Sequence, residues 1–106
     1  MFDWHRVEDN GPLRARAQEL RAHSIRLRIE AADLFCDAVE NEIRWQRREK
    51  AERGLEKVHR ALAEIRRHLS EPHHVAPQAA VEFSRLLFEV EVKARRLERR
   101  LHARDD

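Results

Sequence analysis

The chain has 106 residues, of which 42% are hydrophobic and 40% are charged, and its formal net charge is only +2. Its two Gly, single Cys and lack of Tyr argue against a β-rich fold, a disulfide framework and a cysteine-based zinc site. We therefore expect one all-α domain over residues 1–106. We also expect it to be cytoplasmic, because no apolar run approaches the roughly 18 residues of a membrane span and residues 1–10 do not resemble a signal peptide.

The N-terminal segment, residues 1–10, contains the apolar residues Phe2, Trp4 and Val7. It is either an interaction segment or a cap over one end of a helical bundle, and we favour the cap, which is the commoner use of such residues. Asn10 is a suitable N-cap and Pro12 suits a first helical turn, so the first helix is predicted to begin near residue 12.

Residues 13–45 carry two apolar stripes, both spaced by threes and fours as in a helix. The first stripe consists of Leu13, Ala17, Leu20, Ser24, Leu27, Ala31, Leu34, Ala38 and Trp45. The second consists of Ile25, Ile29, Ala32, Cys36, Val39 and Ile43. At ~100° per residue their centres lie roughly 150° apart, so this helix needs neighbours on two sides.

The rest of the chain has one stripe per helix. Residues 55–69 place Leu or a β-branched residue at each apolar step, and residues 83–101 match them. Pro72 and Pro77 mark a connecting loop over residues 71–77, which separates these segments. Two single-stripe helices joined by a short loop are expected to pair antiparallel.

The continuity of the first helix is the open question. Residues 46–50 contain no apolar residue, and Gly54 follows, so a break near 46–54 would give a three-helix bundle. No capping residue follows Gly54, however, and residues 43–70 match the length of residues 77–104. We therefore favour a helical hairpin, with a long helix over about 12–70 and an antiparallel second helix over about 77–104, that oligomerises into a bundle.

In the hairpin, residues 13–45 have no partner within the chain, which predicts a homo-oligomer, a dimer in the first place. Residues 11–28 carry five Arg and one Glu, whereas residues 29–42 carry five acidic residues and no base, so two copies complement each other when antiparallel. The predicted interface anchors are Leu20, Ile25, Leu27, Ile29, Ala32, Leu34, Cys36, Val39 and Ile43. The expected function is a non-enzymatic scaffold or adaptor, since no nucleophile–base pair or phosphate-binding loop is present and no cofactor is implied.

Two basic clusters suggest an alternative function. They consist of Arg44, Arg47, Arg48 and Arg53, and of Arg95, Arg96, Arg99 and Arg100. In an antiparallel hairpin both reach the same end, where an acidic protein or a nucleic acid would relieve their repulsion. The alternative is therefore a small helical bundle that binds nucleic acid through its basic end.

A third possibility is a metal-binding bundle. Glu56 and His59 have the Glu-x-x-His spacing of di-iron proteins, although they flank the apolar stripe and do not lie on it. His73 and His74 in the loop are interpreted as solvent-exposed. Cys36 lies on the second apolar stripe, which favours a buried thiol, with an intermolecular disulfide across a dimer axis as the exception.

Overall fold

The computed structural model describes residues 7–103, with side chains from residue 11 onward. This part of the chain forms three helices and no strand: α1 (Val7–Arg44), α2 (Arg48–Ser70) and α3 (Pro77–Ala103). The all-α prediction is confirmed. The favoured continuous helix over 12–70 is wrong, and the alternative three-helix arrangement is observed, with the break at residues 45–47.

The start of α1 also differs from the prediction. The helix begins at Val7, so Asn10 is not its N-cap and Pro12 lies inside it. Pro12 lacks the N–H that would reach the carbonyl of Glu8, but this single lost hydrogen bond does not end the helix. Phe2 and Trp4 lie outside the described residues, and their predicted capping role stays a prediction.

A Schellman motif ends α1. The Gln46 N–H donates to the carbonyl of Ile43 at 3.0 Å, and the Arg47 N–H donates to that of Glu42 at 2.8 Å. Gln46 has φ +57°, the left-handed conformation that this motif requires and that glycine usually supplies. Because glutamine occupies this position, composition gives no sign of the turn.

Gly54 lies inside α2 and does not end a helix. A Cβ atom built on Gly54 would lie 2.8 Å from Cγ2 of Val39 on α1, closer than two carbon atoms can approach. The glycine therefore permits α1 and α2 to pack closely at this point, which repays the roughly 1 kcal/mol that a mid-helix glycine costs.

The core is formed where one stripe from each helix converges, and Val75 from the α2–α3 loop joins it. Its members are Ile25, Ile29, Ala32, Cys36, Val39, Ile43, Ala51, Leu55, Val58, Leu62, Ile65, Val75, Phe83, Leu87, Val90, Ala94, Leu97 and Leu101. The described residues contribute no buried polar or charged residue to this set. Hydrophobic burial therefore supplies the main stabilisation of the bundle.

Ion pairs at the margin of the core show how the helices run. Arg28 of α1 pairs with Glu64 of α2 at 3.1 Å, and Arg66 of α2 pairs with Glu91 of α3. Lys93 of α3 contacts Asp33 at 3.0 Å and Asp37 at 2.6 Å, so it joins two successive turns of α1. Hydrogen bonding to Asp37 raises the pKa of Lys93, which keeps the ammonium charged. α2 is thus antiparallel to both other helices, and α1 and α3 are parallel.

α1 is longer than its neighbours. With 38 residues it extends about 57 Å, against about 35 Å for the 23 residues of α2. Gln18 donates to the carbonyl of His73 at 3.1 Å and Arg21 to that of His74 at 2.5 Å, so residues 18–21 lie level with the α2–α3 loop. The helix before Ala17 therefore projects beyond the bundle.

We predict that Gln46→Gly stabilises the fold. Glycine adopts the left-handed conformation without a Cβ clash, so the free energy of unfolding should rise by about 0.5–1 kcal/mol in urea denaturation. The control is Lys57→Gly, at an exposed position inside α2, which should lower it by about 1 kcal/mol. Equal destabilisation by both substitutions would contradict the role assigned to Gln46.

Candidate self-association seam and cationic end

The two stripes of α1 have different surroundings. Six of the nine predicted interface anchors are buried in the core of the chain itself: Ile25, Ile29, Ala32, Cys36, Val39 and Ile43. This corrects the prediction that they anchor contacts between copies, because α2 and α3 already cover them. Leu20, Leu27 and Leu34 are exposed and remain available to a partner.

The exposed stripe is a regular heptad. Its four leucines follow one another every seven residues and stay exposed: Leu13 at 70%, Leu20 at 59%, Leu27 at 51% and Leu34 at 66%. Small residues occupy the positions four residues after each leucine: Ala17, Ser24, Ala31 and Ala38. We call these eight residues the α1 seam. Strict seven-residue spacing, with two apolar positions per heptad, is the pattern of a coiled-coil contact.

The sequence distinguished two stripes on α1, but the predicted interface anchors were drawn from both of them. The signal that could have separated the seam from the core is the difference between the stripes. The core stripe holds Ile and Val, whereas the seam holds only Leu with Ala or Ser at fixed intervals. A seam of alternating large and small residues permits a short distance between helix axes, since that distance depends on the side chains at the contact.

Charged residues flank the seam in two blocks. On its N-terminal half the flanking positions hold Arg14, Arg16, Arg21, His23 and Arg28. On its C-terminal half they hold Glu30, Asp37 and Glu42. Arg21, Arg28 and Asp37 have partners within the chain, but among the described residues no ion-pair partner is found for Arg16, His23 or Glu30.

Cys36 is fully buried in the core. Burial raises the pKa of its thiol to about 11, with Asp33 and Asp37 adding to the rise and Lys93 opposing it. A buried, protonated thiol is a poor nucleophile. The structure therefore disfavours the intermolecular disulfide that we considered from the sequence.

The two basic clusters do meet at one end of the bundle. The end of α1, the start of α2 and the end of α3 surround a cleft lined by Ile43, Gln46, Arg48 and Leu101. Nearby carboxylates pair with three of the arginines, Arg47 with Glu42, Arg48 with Glu52 and Arg100 with Glu40.

The other arginines of these clusters have different surroundings. Arg95 lies over the ring of Phe88 at 5.9 Å. Within the described range, Arg44, Arg53, Arg96 and Arg99 have no acidic partner. The end is therefore less cationic than the sequence alone implied.

Glu56 and His59 do not form a metal site with other residues of the described range. Both are exposed, and the close acidic neighbour of His59 is Glu98, with Nε2 3.6 Å from Oε2. An exposed pair of this kind contributes at most about 1 kcal/mol to stability. A cluster of possible ligands lies elsewhere, at the end of α2, and includes His74, which is half-buried and not solvent-exposed as we expected.

Comparison of the chain with protein-family models, with curated proteins and with solved structures gives no match. In the part of the chain that the structure describes, no helix combines the length and the apolarity required to cross a membrane. The surface of the bundle is therefore the basis for inferring a function.

We predict that the Cys36 thiol is inert in the folded protein. At pH 8 it should react with a thiol reagent at least 100-fold more slowly in buffer than in urea, because it is buried and protonated. Ser84→Cys, at an exposed position of α3, supplies a thiol that reacts rapidly under both conditions. Native reaction of Cys36 at the rate of that control would contradict the buried placement.

Proposed function

We propose that the protein is a non-enzymatic scaffold or adaptor whose copies associate through the α1 seam. The observation that supports this proposal is the regular series of exposed leucines on a helix whose opposite face is already buried. Isolated exposed leucines are common on protein surfaces and carry no meaning, but a continuous heptad on one face is typical of an interface.

The area of the seam fits a second copy of the chain. Its leucines, together with Phe35 and Trp45 at its edge, are each between 47% and 70% exposed, and a contiguous exposed apolar patch is typical of an interaction site. Pairing two seams would bury on the order of 1,200 Å² in total, which lies at the lower end of the range for specific complexes. We therefore expect a dimer that dissociates on dilution.

Side-chain size favours an antiparallel pair. In a parallel, in-register pair each residue meets its own copy, so leucine would face leucine in one layer and alanine would face alanine in the next. In an antiparallel pair every layer sets a leucine of one copy against a small residue of the other, for example Leu20 against Ala31. Layers of equal total volume fill the space between two straight helices without gaps.

Charge favours the same direction. A parallel pair would set Arg16 beside Arg21 of the second copy at one end, and Asp37 beside Glu42 of the second copy at the other. An antiparallel pair centred on the seam sets Arg16 opposite Asp37 and His23 opposite Glu30 on one flank. On the other flank Arg21 faces Arg28 of the second copy, but each of these guanidinium groups already has a partner within its own chain. Opposite charges across an interface favour an arrangement and like charges disfavour it, so the balance of these pairs favours the antiparallel direction.

Replacing seam leucines tests the association. We predict that Leu20→Gln with Leu27→Gln weakens dimerisation at least 100-fold, because each dimer loses four leucine contacts. Light scattering after size-exclusion chromatography, over a range of concentrations, measures the mass. The matched control is Val81→Gln with Phe88→Gln, which removes two equally exposed apolar residues of α3 and should leave the mass unchanged. A monomeric wild-type chain at 100 μM would refute self-association and favour a different partner.

Spin labels test the direction. We predict that labels on Arg16→Cys lie about 30 Å apart between copies, while labels on His23→Cys lie less than about 20 Å apart, since residue 23 is nearer the centre of the seam. Both positions flank the seam, so the labels do not enter it. Equal, short distances at the two positions would indicate a parallel pair and would contradict the proposed arrangement.

A further inference from the structure

A group of three potential metal ligands lies where α2 ends and the loop to α3 begins. His68, Glu71 and His74 each offer one ligand atom, and these three atoms lie within 4.8 Å of one another. The residues are spaced by three, so the last turn of α2 and the first turn of the loop carry them to the same side. Among the described residues, this is the one group of three or more His, Cys, Asp or Glu side chains that lie close enough together to hold a metal ion.

The distances inside the cluster are short. Nδ1 of His74 lies 3.2 Å from Oε2 of Glu71, and Nδ1 of His68 lies 4.0 Å from Oε1 of the same carboxylate. The two imidazole rings are stacked, with centroids 5.2 Å apart and planes 23° from parallel. The two imidazoles thus lie side by side, with one carboxylate near both.

One atom of the cluster lacks a hydrogen-bond partner. Nδ1 of His68 is shielded from solvent and makes no hydrogen bond. A buried polar atom without a partner costs about 1–3 kcal/mol, so an observed one calls for a physical explanation. A bound cation would accept the lone pair of this nitrogen and remove the cost.

A second carboxylate lies near the ring of His68. Oε1 of Glu64 lies 3.8 Å from Nε2, whereas Nδ1 is the ring nitrogen close to Glu71. If the proton resides on Nε2, facing this carboxylate, Nδ1 presents its lone pair to the cluster. Metal-binding histidines commonly have a carboxylate beyond the ring in this way, which fixes the tautomer and increases the basicity of the ligand nitrogen.

The loop that carries His74 is attached to α1. Arg21 donates to the carbonyl of His74, and Gln18 donates to that of His73, which has φ +60°. These hydrogen bonds hold the backbone of the third ligand in place, so its side chain needs only rotations to approach the others. Pre-positioned ligands of this kind reduce the entropy lost on binding.

Two guanidinium groups lie near the cluster and oppose a cation. Arg21, Arg28, His68 and His74 all line one small recess between α1 and the loop. Arg28 is paired with Glu64 at 3.1 Å, and the guanidinium of Arg21 donates to a backbone carbonyl. Because this environment does not attract cations by charge alone, an ion that forms strong bonds to imidazole nitrogen is favoured over Mg²⁺ or Ca²⁺.

We propose that His68, Glu71 and His74 bind a divalent transition-metal ion, with Zn²⁺ as the first choice. Two imidazoles and one carboxylate form a ligand set that zinc accepts, with a fourth position left to water. Bonds of about 2.0–2.2 Å place tetrahedral ligands about 3.3 Å apart, so the atoms approach by roughly 1 Å each. The bound ion links the last turn of α2 to the loop and stabilises the connection to α3.

Titration of the metal-free full chain with ZnCl₂ tests the proposal. Calorimetry should give one site per chain, and CoCl₂ should give the visible absorption of a tetrahedral ion with nitrogen and oxygen ligands. His68→Ala and His74→Ala should each weaken Zn²⁺ binding at least 100-fold, and Glu71→Gln, which keeps the shape of the side chain, at least 10-fold. His59→Ala and His102→Ala remove exposed histidines elsewhere and should leave the affinity unchanged.

Circular dichroism of each variant separates loss of the ligand from loss of the fold. Absence of Zn²⁺ binding to the folded wild-type chain would overturn the proposal. Binding that all three ligand variants retain, or that the two control variants lose equally, would also overturn it, since the ion would then occupy surface histidines. The Leu20→Gln, Leu27→Gln variant should bind Zn²⁺ normally, so the site stands or fails independently of self-association.

Discussion

The whole molecule depends on a mismatch between the apolar faces of its helices. α2 and α3 each present one stripe, whereas α1 presents two on opposite sides. One stripe from each helix closes the core, which leaves Val81 and Phe88 as the large apolar side chains of α3 that are still exposed. The remaining face of α1 stays in water although it is as regular as the buried one. The surplus face is therefore a direct result of the packing that stabilises the monomer.

The sequence predicted the helical class, the limits of α3 and the stripe of α2, because in each of these the spacing of apolar residues has a single solution. It did not predict the turn after α1. That turn depends on Gln46, which adopts a left-handed conformation. Such a turn is normally predicted from a glycine at this position, and the sequence has none there. Nor did it predict which face of α1 is buried, because both stripes have helical spacing, and the one local difference, Ile and Val in the buried stripe against Leu with Ala or Ser in the exposed one, was not used to separate them.

Charge was harder to interpret than hydrophobicity. The sequence places many arginines near one end, but Glu40, Glu42 and Glu52 come from other turns and helices to pair with several of them. The fold also brings His68, Glu71 and His74 together. Both loop histidines were expected in solvent, which holds for His73 but not for the half-buried His74. Whether a charged side chain is paired depends on residues that are distant in the sequence, whereas the spacing of apolar residues along a helix can be recognised from the local sequence alone.

The contact between Gly54 and Val39 has a consequence for how the chain can vary. A hydrogen atom on one helix and a branched side chain on the other together fill a single space between two backbones. Helix propensity explains neither residue. Alanine would favour the helix more than Gly54 does, and leucine would favour it at least as much as Val39 does. The two side chains occupy the same space between the helices, so a larger residue at either position requires a smaller residue at the other.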